Sequence, residues 1–234
     1  MVDRWFGRII ETMDRLDLWD DTALIYTSDH GFYFGEHGGR FGKMTHDKRS
    51  DGSVYVHGDE DASWAHSPLY EELVRIPLIA YVPGARPGDR RQLTSVVDVM
   101  PTVLDITGQD IPDWVEGRSL MPMTRDSSVA GRDIVVSTIP FANPGDPVQS
   151  VDNIRRQLRA SPVTTVSTSE WSLLYSMDEG MSELFDLRVD RGQGKNVIAS
   201  QPEVARELHQ ALIGFLRETN VAPQLLDPRL ELRI

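Results

Sequence analysis

Residues 22–43 constrain the fold of this chain more than any other stretch. The apolar run from Ala23 to Tyr26 is typical of a strand buried in a sheet, and it gives way at Ser28 to polar residues. Five glycines follow, at positions 31, 35, 38, 39 and 42. Because glycine tolerates unusual backbone angles, the chain after this strand can turn sharply and approach a ligand closely.

The same stretch carries Asp29, His30, His37 and Lys43. A hard cation prefers carboxylate oxygens, and a neutral imidazole can complete its shell. A tetrahedral oxyanion pairs well with a point charge such as a lysine ammonium. The stretch therefore predicts a metal and oxyanion site at a strand end. The alternative is a plain turn in which Asp29 bonds its own backbone.

Three motifs in this stretch resemble the second metal-binding segment of the sulfatases, in the alkaline-phosphatase-like superfamily: Ser28-Asp29-His30-Gly31, Gly35-Glu36-His37-Gly38 and Gly42-Lys43. The resemblance implies that Asp29 and His30 are calcium ligands and that Lys43 contacts the sulfate. Another divalent cation would suit the same ligands. His37 would steady the site or donate a proton, or else it is a loop histidine exposed to water.

Four further motifs follow in the family's order. Arg75 lies in the first of them, where it either faces the substrate or pairs with Glu71 or Glu72. The ordered set supports the resemblance far more strongly than any single motif. The motifs are Glu71–Ile79, similar to E-x-x-R-V-P-L; Val97–Asp105, similar to D-x-x-P-T-x-L-D; Glu116–Leu120; and Glu183–Leu187.

One element of the family is absent from these 234 residues. Sulfatases use a formylglycine nucleophile, made from Cys or Ser in a C/S-x-P-x-R motif beside an early pair of aspartates. This sequence has no cysteine and no Ser-x-Pro-x-Arg. The sequence thus resembles the C-terminal half of a sulfatase, which is expected to be inactive alone. The missing N-terminal half is an expected partner, and self-association is the alternative.

The predicted fold is α/β: part of a mixed, helix-flanked sulfatase-type sheet, followed by a small α+β C-terminal subdomain. We predict domains at 1–125 and 163–234, joined by a linker-rich segment at 126–162. Parallel strands covered on both faces are expected at 22–28 and 78–82. Further predicted elements are helices at 2–18, packed on a sheet, at 95–106 and at 202–219, and strands at 133–138, 163–168, 171–176 and 183–187.

Residues 44–67 are polar with little periodicity, which predicts a long surface loop at the mouth of the site. Tyr55 and Trp64 are candidates for substrate contact. A solvated acidic loop is the simpler interpretation, because the ligand spacing is irregular. The candidates for an accessory metal site are His46, His57, Asp59, Asp61 and His66.

The net charge of −12 argues against nucleic acid or an anionic membrane as a partner. No apolar run approaches the roughly 20 residues of a membrane span. The sequence does not decide between a cytoplasmic and an exported protein. The expected substrate is a small-molecule or saccharide sulfate ester. A phosphate or phosphonate ester hydrolase is the first alternative, because sulfate and phosphate are isosteric. A non-catalytic remnant or partner subunit is the second.

Overall fold

A computed structural model of the protein describes residues 1–46, 64–139, 150–160 and 162–234. Contacts divide the chain into two units. The first unit consists of residues 1–29 and 77–132, and the second consists of residues 30–76 and 133–234. The predicted domain boundaries stay a prediction.

Helices and strands are interspersed along the described chain, in agreement with the predicted mixed fold. Among the described helices, none is long and apolar enough to cross a membrane. The helices are α1 (Val2–Leu16), α2 (Glu36–Gly39), α3 (Glu71–Val74), α4 (Val99–Ile106), α5 (Met121–Arg125), α6 (Val151–Ala160), α7 (Pro202–Glu218) and α8 (Pro223–Leu226), with 3₁₀ turns at Val96–Asp98 and Asp227–Arg229. The strands are β1 (Leu24–Thr27), β2 (Tyr33–Phe34), β3 (Phe41–Gly42), β4 (Met44–His46), β5 (Trp64–His66), β6 (Leu78–Tyr81), β7 (Val135–Thr138), β8 (Thr164–Ser167), β9 (Trp171–Tyr175) and β10 (Glu183–Asp186).

The first unit contains a two-stranded sheet of β1 and β6, where the sequence predicts two strands. The strands are antiparallel, with Leu24 opposite Tyr81 and Thr27 opposite Leu78. The expectation of parallel strands buried on both faces is therefore wrong. β1 is half-buried and β6 is exposed along its length, with Ile79 at 64%. A continuous apolar run indicates that a strand can be buried on both faces, but burial also needs neighbouring elements that pack on those faces.

Helix α1 is amphipathic, as its spacing of apolar residues predicts, and it ends at Asp17 in the left-handed conformation. Phe6 packs on Tyr26 of β1, with ring centroids 4.9 Å apart. Packing of α1 is only partial, since Met13 is buried but Trp5 is 57% exposed. The predicted packing of this helix on a sheet is thus seen at Phe6, while the rest of its apolar face is only partly covered in the described chain.

The predicted helix at 95–106 forms as a 3₁₀ turn followed by α4. Pro101 sits in the first turn of α4, where its missing N–H costs no helical hydrogen bond. Gly108, at φ +68°, closes the helix. Asp98 accepts a hydrogen bond from the Ser95 backbone N–H at 2.8 Å, which confirms a capping role for this carboxylate. The hydroxyl of Ser119 donates to Asp105, so two of the family-like motifs brace each other.

The second unit is built on an antiparallel sheet in the order β10-β9-β8-β7. This sheet with α7 confirms the predicted small α+β subdomain. Leu173 of β9 faces the same core as Leu212 of α7, whereas its neighbour Leu174 faces a second core. Because side chains alternate along a strand, both faces of the sheet are covered.

The second face of this sheet is covered by residues from the segment 30–76. Tyr33, Tyr70 and Leu73 pack there against Leu174 and Phe185. The segment 30–76, which carries most of the candidate site residues, therefore packs on the C-terminal sheet.

Two predicted irregular segments contain regular structure. Residues 44–46 and 64–66 pair as β4 and β5, so the predicted loop at 44–67 is wrong at both ends. Residues 47–63 lie outside the described residues. In the predicted linker, α6 occupies Val151–Ala160, where the sequence predicts no helix. The strand predicted at 133–138 forms as β7 and pairs with β8 of the C-terminal sheet. The composition of the linker pointed to turns, but burial of Leu158 in the core stabilises α6.

Candidate active site

His30 and Lys43 lie together at the start and end of the glycine-rich stretch. Lys43 Nζ is 3.0 Å from His30 Nε2, and His30 Nδ1 is 2.8 Å from the carbonyl oxygen of Gly31. An ammonium only donates hydrogen bonds, so Nε2 accepts and Nδ1 carries the proton that is donated to Gly31. The Nε2 lone pair is consequently directed toward Lys43.

This form of His30 suits a metal ligand. A ligating histidine binds through a neutral nitrogen, while its other ring N–H is held by a carbonyl or carboxylate. Asp29, in the first unit, follows the end of β1 with an exposed side chain, and its Oδ1 is 3.4 Å from the hydroxyl of Ser28. A carboxylate and an imidazole fit a divalent cation in donor type, but calcium takes about 6–8 oxygen ligands. In the described residues there is no cluster of three or more His, Cys, Asp or Glu side chains suited to a metal.

The residues between His30 and Lys43 form a tight hairpin of β2 and β3. Tyr33 pairs with Gly42 and Phe34 pairs with Phe41. The hairpin is closed by the Gly35 N–H donating to the carbonyl of Arg40 at 2.8 Å. Its tip is the single turn α2, in which the backbone turns left-handed. The glycines there meet the conformational demand that the sequence predicts.

The same hairpin is fastened to α3. The Gly31 N–H donates to the Leu73 carbonyl at 2.9 Å. A Cβ on Gly31 would lie 1.8 Å from the carbonyl oxygen of Glu72. Glycine is therefore required at this position, because any side chain would push the backbone of Gly31 away from α3.

His37 is held within the second unit and is not a water-exposed loop histidine. Its Nε2 lies 2.9 Å from Glu72 Oε2, and its ring stacks on Tyr70 with centroids 3.7 Å apart. The side chain of His37 is 9% exposed. These contacts suit a residue that steadies the hairpin. A proton-donor role for His37 stays a prediction.

The residues that hold His37 in place are not among the site residues predicted from the sequence. The Tyr70 hydroxyl donates to Glu183 Oε2 at 2.6 Å, and burial, with Glu183 alongside, raises the pKa of Tyr70. The Tyr33 hydroxyl donates to the Pro68 carbonyl at 2.6 Å, and burial raises its pKa to about 12. A signal was available, since Glu72 and Glu183 both lie in family-like motifs.

Arg75 Nη1 is 3.9 Å from Glu71 Oε2, and the side chain of Arg75 is 61% exposed. This is the structural alternative that the sequence leaves open, and a substrate contact by Arg75 stays a prediction. Burial raises the pKa of Glu71, and Arg75 opposes that effect only in part.

The accessory metal candidates His57, Asp59 and Asp61, and Tyr55 with them, lie outside the described residues. The remaining candidates His46, Trp64 and His66 lie on the paired strands β4 and β5, but the description does not extend to their side chains. The accessory metal site stays a prediction.

Comparison with known proteins gives a consistent result. The family model "Sulfatase" matches residues 1–109. Human arylsulfatase K (Homo sapiens) is 27% identical over 223 residues, which cover 94% of this chain and 36% of that protein. The chain is thus similar to sulfatases over most of its length. An N-acetylglucosamine-6-O-sulfatase of Bacteroides thetaiotaomicron is 32% identical to this chain over 134 residues, or 56% of this chain and 20% of that protein.

Solved structures give the same similarity. A protein in complex with its substrate D-glucosamine-2-N,6-O-disulfate has a TM-score of 0.59 at 26% identity, covering 98% of this chain and 40% of that one. A phosphonate monoester hydrolase from Silicibacter pomeroyi has a TM-score of 0.62 at 26% identity, covering 93% of this chain and 38% of that one. The chain therefore has part of the alkaline-phosphatase-like fold of these neighbours. It spans about a third of the length of the curated relatives it matches.

Proposed function

We propose that this chain supplies the sulfate-contacting lysine and the second metal-binding segment of a sulfuric ester hydrolase. The observation that carries the proposal is the 3.0 Å approach of Lys43 Nζ to His30 Nε2. It puts an exposed ammonium beside an unprotonated imidazole nitrogen. That nitrogen could ligate a metal once the ammonium turns from His30 to a sulfate oxygen.

Each residue has a distinct role in this proposal. The Lys43 ammonium would contact the non-bridging oxygens of the sulfate and stabilise the negative charge that develops there. Asp29 and His30 would hold calcium or another divalent cation. When bound, the cation would neutralise charge on the sulfate. His37 would keep the hairpin, and with it Lys43, in place.

The covalent step needs a nucleophile that these 234 residues lack, since they contain neither a cysteine nor the Ser-x-Pro-x-Arg motif that yields formylglycine. Loss of a nucleophile that acts together with its partners costs about 10⁶ in rate. We therefore expect no significant turnover of an aryl sulfate by the pure chain. Turnover above that of a Lys43→Ala variant would contradict this.

The names of the relatives support a sulfate ester substrate, saccharide sulfates among them. A phosphonate or phosphate ester is the second candidate, because a phosphonate monoester hydrolase has a similar fold. Sulfate and phosphate share tetrahedral geometry and differ in charge, so Lys43 alone suits either.

The proposal is tested by titrating the pure chain with methyl sulfate and, separately, methyl phosphate, following backbone and side-chain NMR signals of residues 30–43. We expect saturable shifts centred on His30 and Lys43, with preference for methyl sulfate. Lys43→Ala should abolish them, whereas Lys195→Ala, at another exposed lysine of the second unit, should leave them unchanged. Equal shifts in both variants would contradict the role of Lys43, and preference for methyl phosphate would favour the second candidate.

A further inference from the structure

Three phenylalanine side chains lie exposed on the hairpin of β2 and β3. Phe34 is 73% exposed, Phe41 69% and Phe32 41%. Tyr33, between Phe32 and Phe34, is fully buried against the second core of the unit. Because successive side chains of a strand point to opposite faces, β2 turns one face to that core and the other outward.

The three rings form one continuous apolar patch, the phenylalanine cluster. The centroid of Phe32 is 5.1 Å from that of Phe34 and 5.3 Å from that of Phe41, and Phe34 and Phe41 are 6.1 Å apart. Phe41 meets both other rings edge to face, the arrangement that aromatic rings favour. The cluster is thus an ordered surface and not three isolated side chains.

The phenylalanine cluster borders Lys43. The tip of the Phe32 ring lies 3.7 Å from the position that a Cβ on Gly42 would occupy, so the ring rests on the backbone directly before Lys43. Gly42 itself has φ +87°, which favours glycine. A side chain at position 42 would therefore be strained and would also meet the ring. The apolar surface and the exposed residue Lys43 are consequently neighbours along the backbone of the same hairpin.

We propose that the phenylalanine cluster binds the ring of a ring-bearing sulfate ester whose sulfate lies at Lys43. This inference rests on the proposed function. Phenylalanine has no hydrogen-bonding group in its side chain. The cluster therefore contacts the apolar face of a ring and does not distinguish rings by their hydroxyl groups. An aryl ring and the CH face of a pyranose share this chemistry.

The size of the cluster argues against a second copy of the chain as its occupant. At the measured exposures the three rings present about 300–450 Å² of apolar surface. A stable protein interface buries about 800 Å² per partner. An exposed apolar patch of about 300–600 Å² is instead typical of a functional site on a single chain.

The test compares three probes that differ only in what the sulfate is attached to: phenyl sulfate, glucosamine 6-sulfate and methyl sulfate. Dissociation constants are measured by NMR titration of the pure chain, the Phe34→Ala/Phe41→Ala variant and Lys43→Ala. Trp114→Ala, at another aromatic side chain that is 73% exposed, is the matched control. Because Phe34 and Phe41 are exposed, their replacement should leave the fold intact, which circular dichroism checks.

We expect at least one ring-bearing ester to bind the pure chain about tenfold more tightly than methyl sulfate, and the tighter of the two identifies the ring type. The double phenylalanine variant should lose that advantage while its affinity for methyl sulfate stays unchanged, and Trp114→Ala should behave like the parent chain. Lys43→Ala should weaken all three probes.

Several outcomes would overturn the inference. One is equal binding of ring-bearing esters and methyl sulfate, and another is a ring advantage that survives the double variant. Absence of binding by all three probes would overturn the proposed function as well. Loss of self-association in the double variant, seen by analytical ultracentrifugation, would assign the cluster to a protein contact. If only Lys43→Ala weakens binding, the proposed function stands and the role of the phenylalanine cluster fails.

Discussion

His37 Nε2 lies 2.9 Å from Glu72 Oε2, although His37 sits at the tip of a hairpin with its backbone in the left-handed region at φ 49°. A non-glycine residue adopts this conformation only where surrounding contacts hold it. The carboxylate of Glu72 and the stacked ring of Tyr70 supply those contacts. The hairpin that ends at Lys43 is therefore fixed by a residue of α3.

Replacement of Glu72 tests this anchor. Glu72→Gln keeps an acceptor for His37 but removes its charge, so it should lower the free energy of unfolding by about 1 kcal/mol, the difference between a charged and a neutral hydrogen bond. Urea denaturation followed by circular dichroism measures it. The matched control is Glu71→Gln, which should be neutral or slightly stabilising, because burial raises the pKa of Glu71 and disfavours its charge. Equal losses in the two variants would contradict the anchoring role.

Asp98 is fully buried and bonds Arg132 and the backbone N–H groups of Ser95 and Arg118. Burial alone would raise the pKa of Asp98, but these hydrogen bonds together hold it below its usual range. Stability from this group is therefore complete above the unfolded pKa of about 3.9 and is lost as pH falls through the folded value.

We expect Asp98→Asn to destabilise the chain by about 3–5 kcal/mol at pH 7, because it leaves the Arg132 charge without its buried partner. The variant should also flatten the fall in stability between about pH 5 and pH 2. Urea denaturation across that range measures both. Asp113→Asn, at an exposed carboxylate of the same unit, is the control and should retain the parent profile. A parent-like acid profile in Asp98→Asn would count against the assignment.

His209 is 4% exposed and its Nε2 is 2.8 Å from the carbonyl oxygen of Arg229. Burial lowers the pKa of His209, and the hydrogen bond to Arg229 offsets this only in part. The unfolded chain thus takes up a proton first as pH falls, so stability decreases below the unfolded pKa of about 6.5. His209→Gln, which keeps a donor for Arg229, should lose this dependence between pH 7.5 and 5.5. An unchanged slope in urea denaturation would contradict it.

Calcium should bind the isolated chain weakly, with a dissociation constant in the millimolar range or above, because Asp29 and His30 are far fewer than the about 6–8 ligands that calcium takes. Isothermal titration calorimetry measures this, with Asp29→Ala as the test variant and Asp126→Ala as the control. Micromolar binding that disappears in Asp29→Ala would show that further residues of this chain complete the shell.

Self-association is expected from the first unit. In the described chain β1 and β6 pair only with each other, so their outer edges carry unpaired backbone groups. Ile79 on β6 and Met100 on α4 are 64% and 44% exposed. Light scattering should reveal oligomers that Ile79→Lys and Met100→Lys reduce, whereas Val189→Lys, at a residue 84% exposed in the second unit, should have no effect. A monodisperse monomer with a sharp thermal transition would contradict this expectation.

Local features of this protein were determined by the sequence. The glycines of residues 31–42 predict a sharply turning segment, and the hairpin with its left-handed tip is what forms. The apolar spacing in α7 predicts its buried face, which packs on the C-terminal sheet. These features follow from backbone angles and periodicity within one segment, so neighbouring residues are enough to specify them.

Partners between distant residues were decided only by the tertiary structure. Periodicity marks which face of an element is apolar, but it does not say what covers that face or whether anything does. Only the tertiary structure shows that β6 pairs antiparallel with β1 and stays exposed. It also shows that the segment 30–76 packs on the C-terminal sheet. The contact of His37 with Glu72 spans 35 positions, and the backbone at Gly31 also lies against α3, where a Cβ would meet the Glu72 carbonyl oxygen.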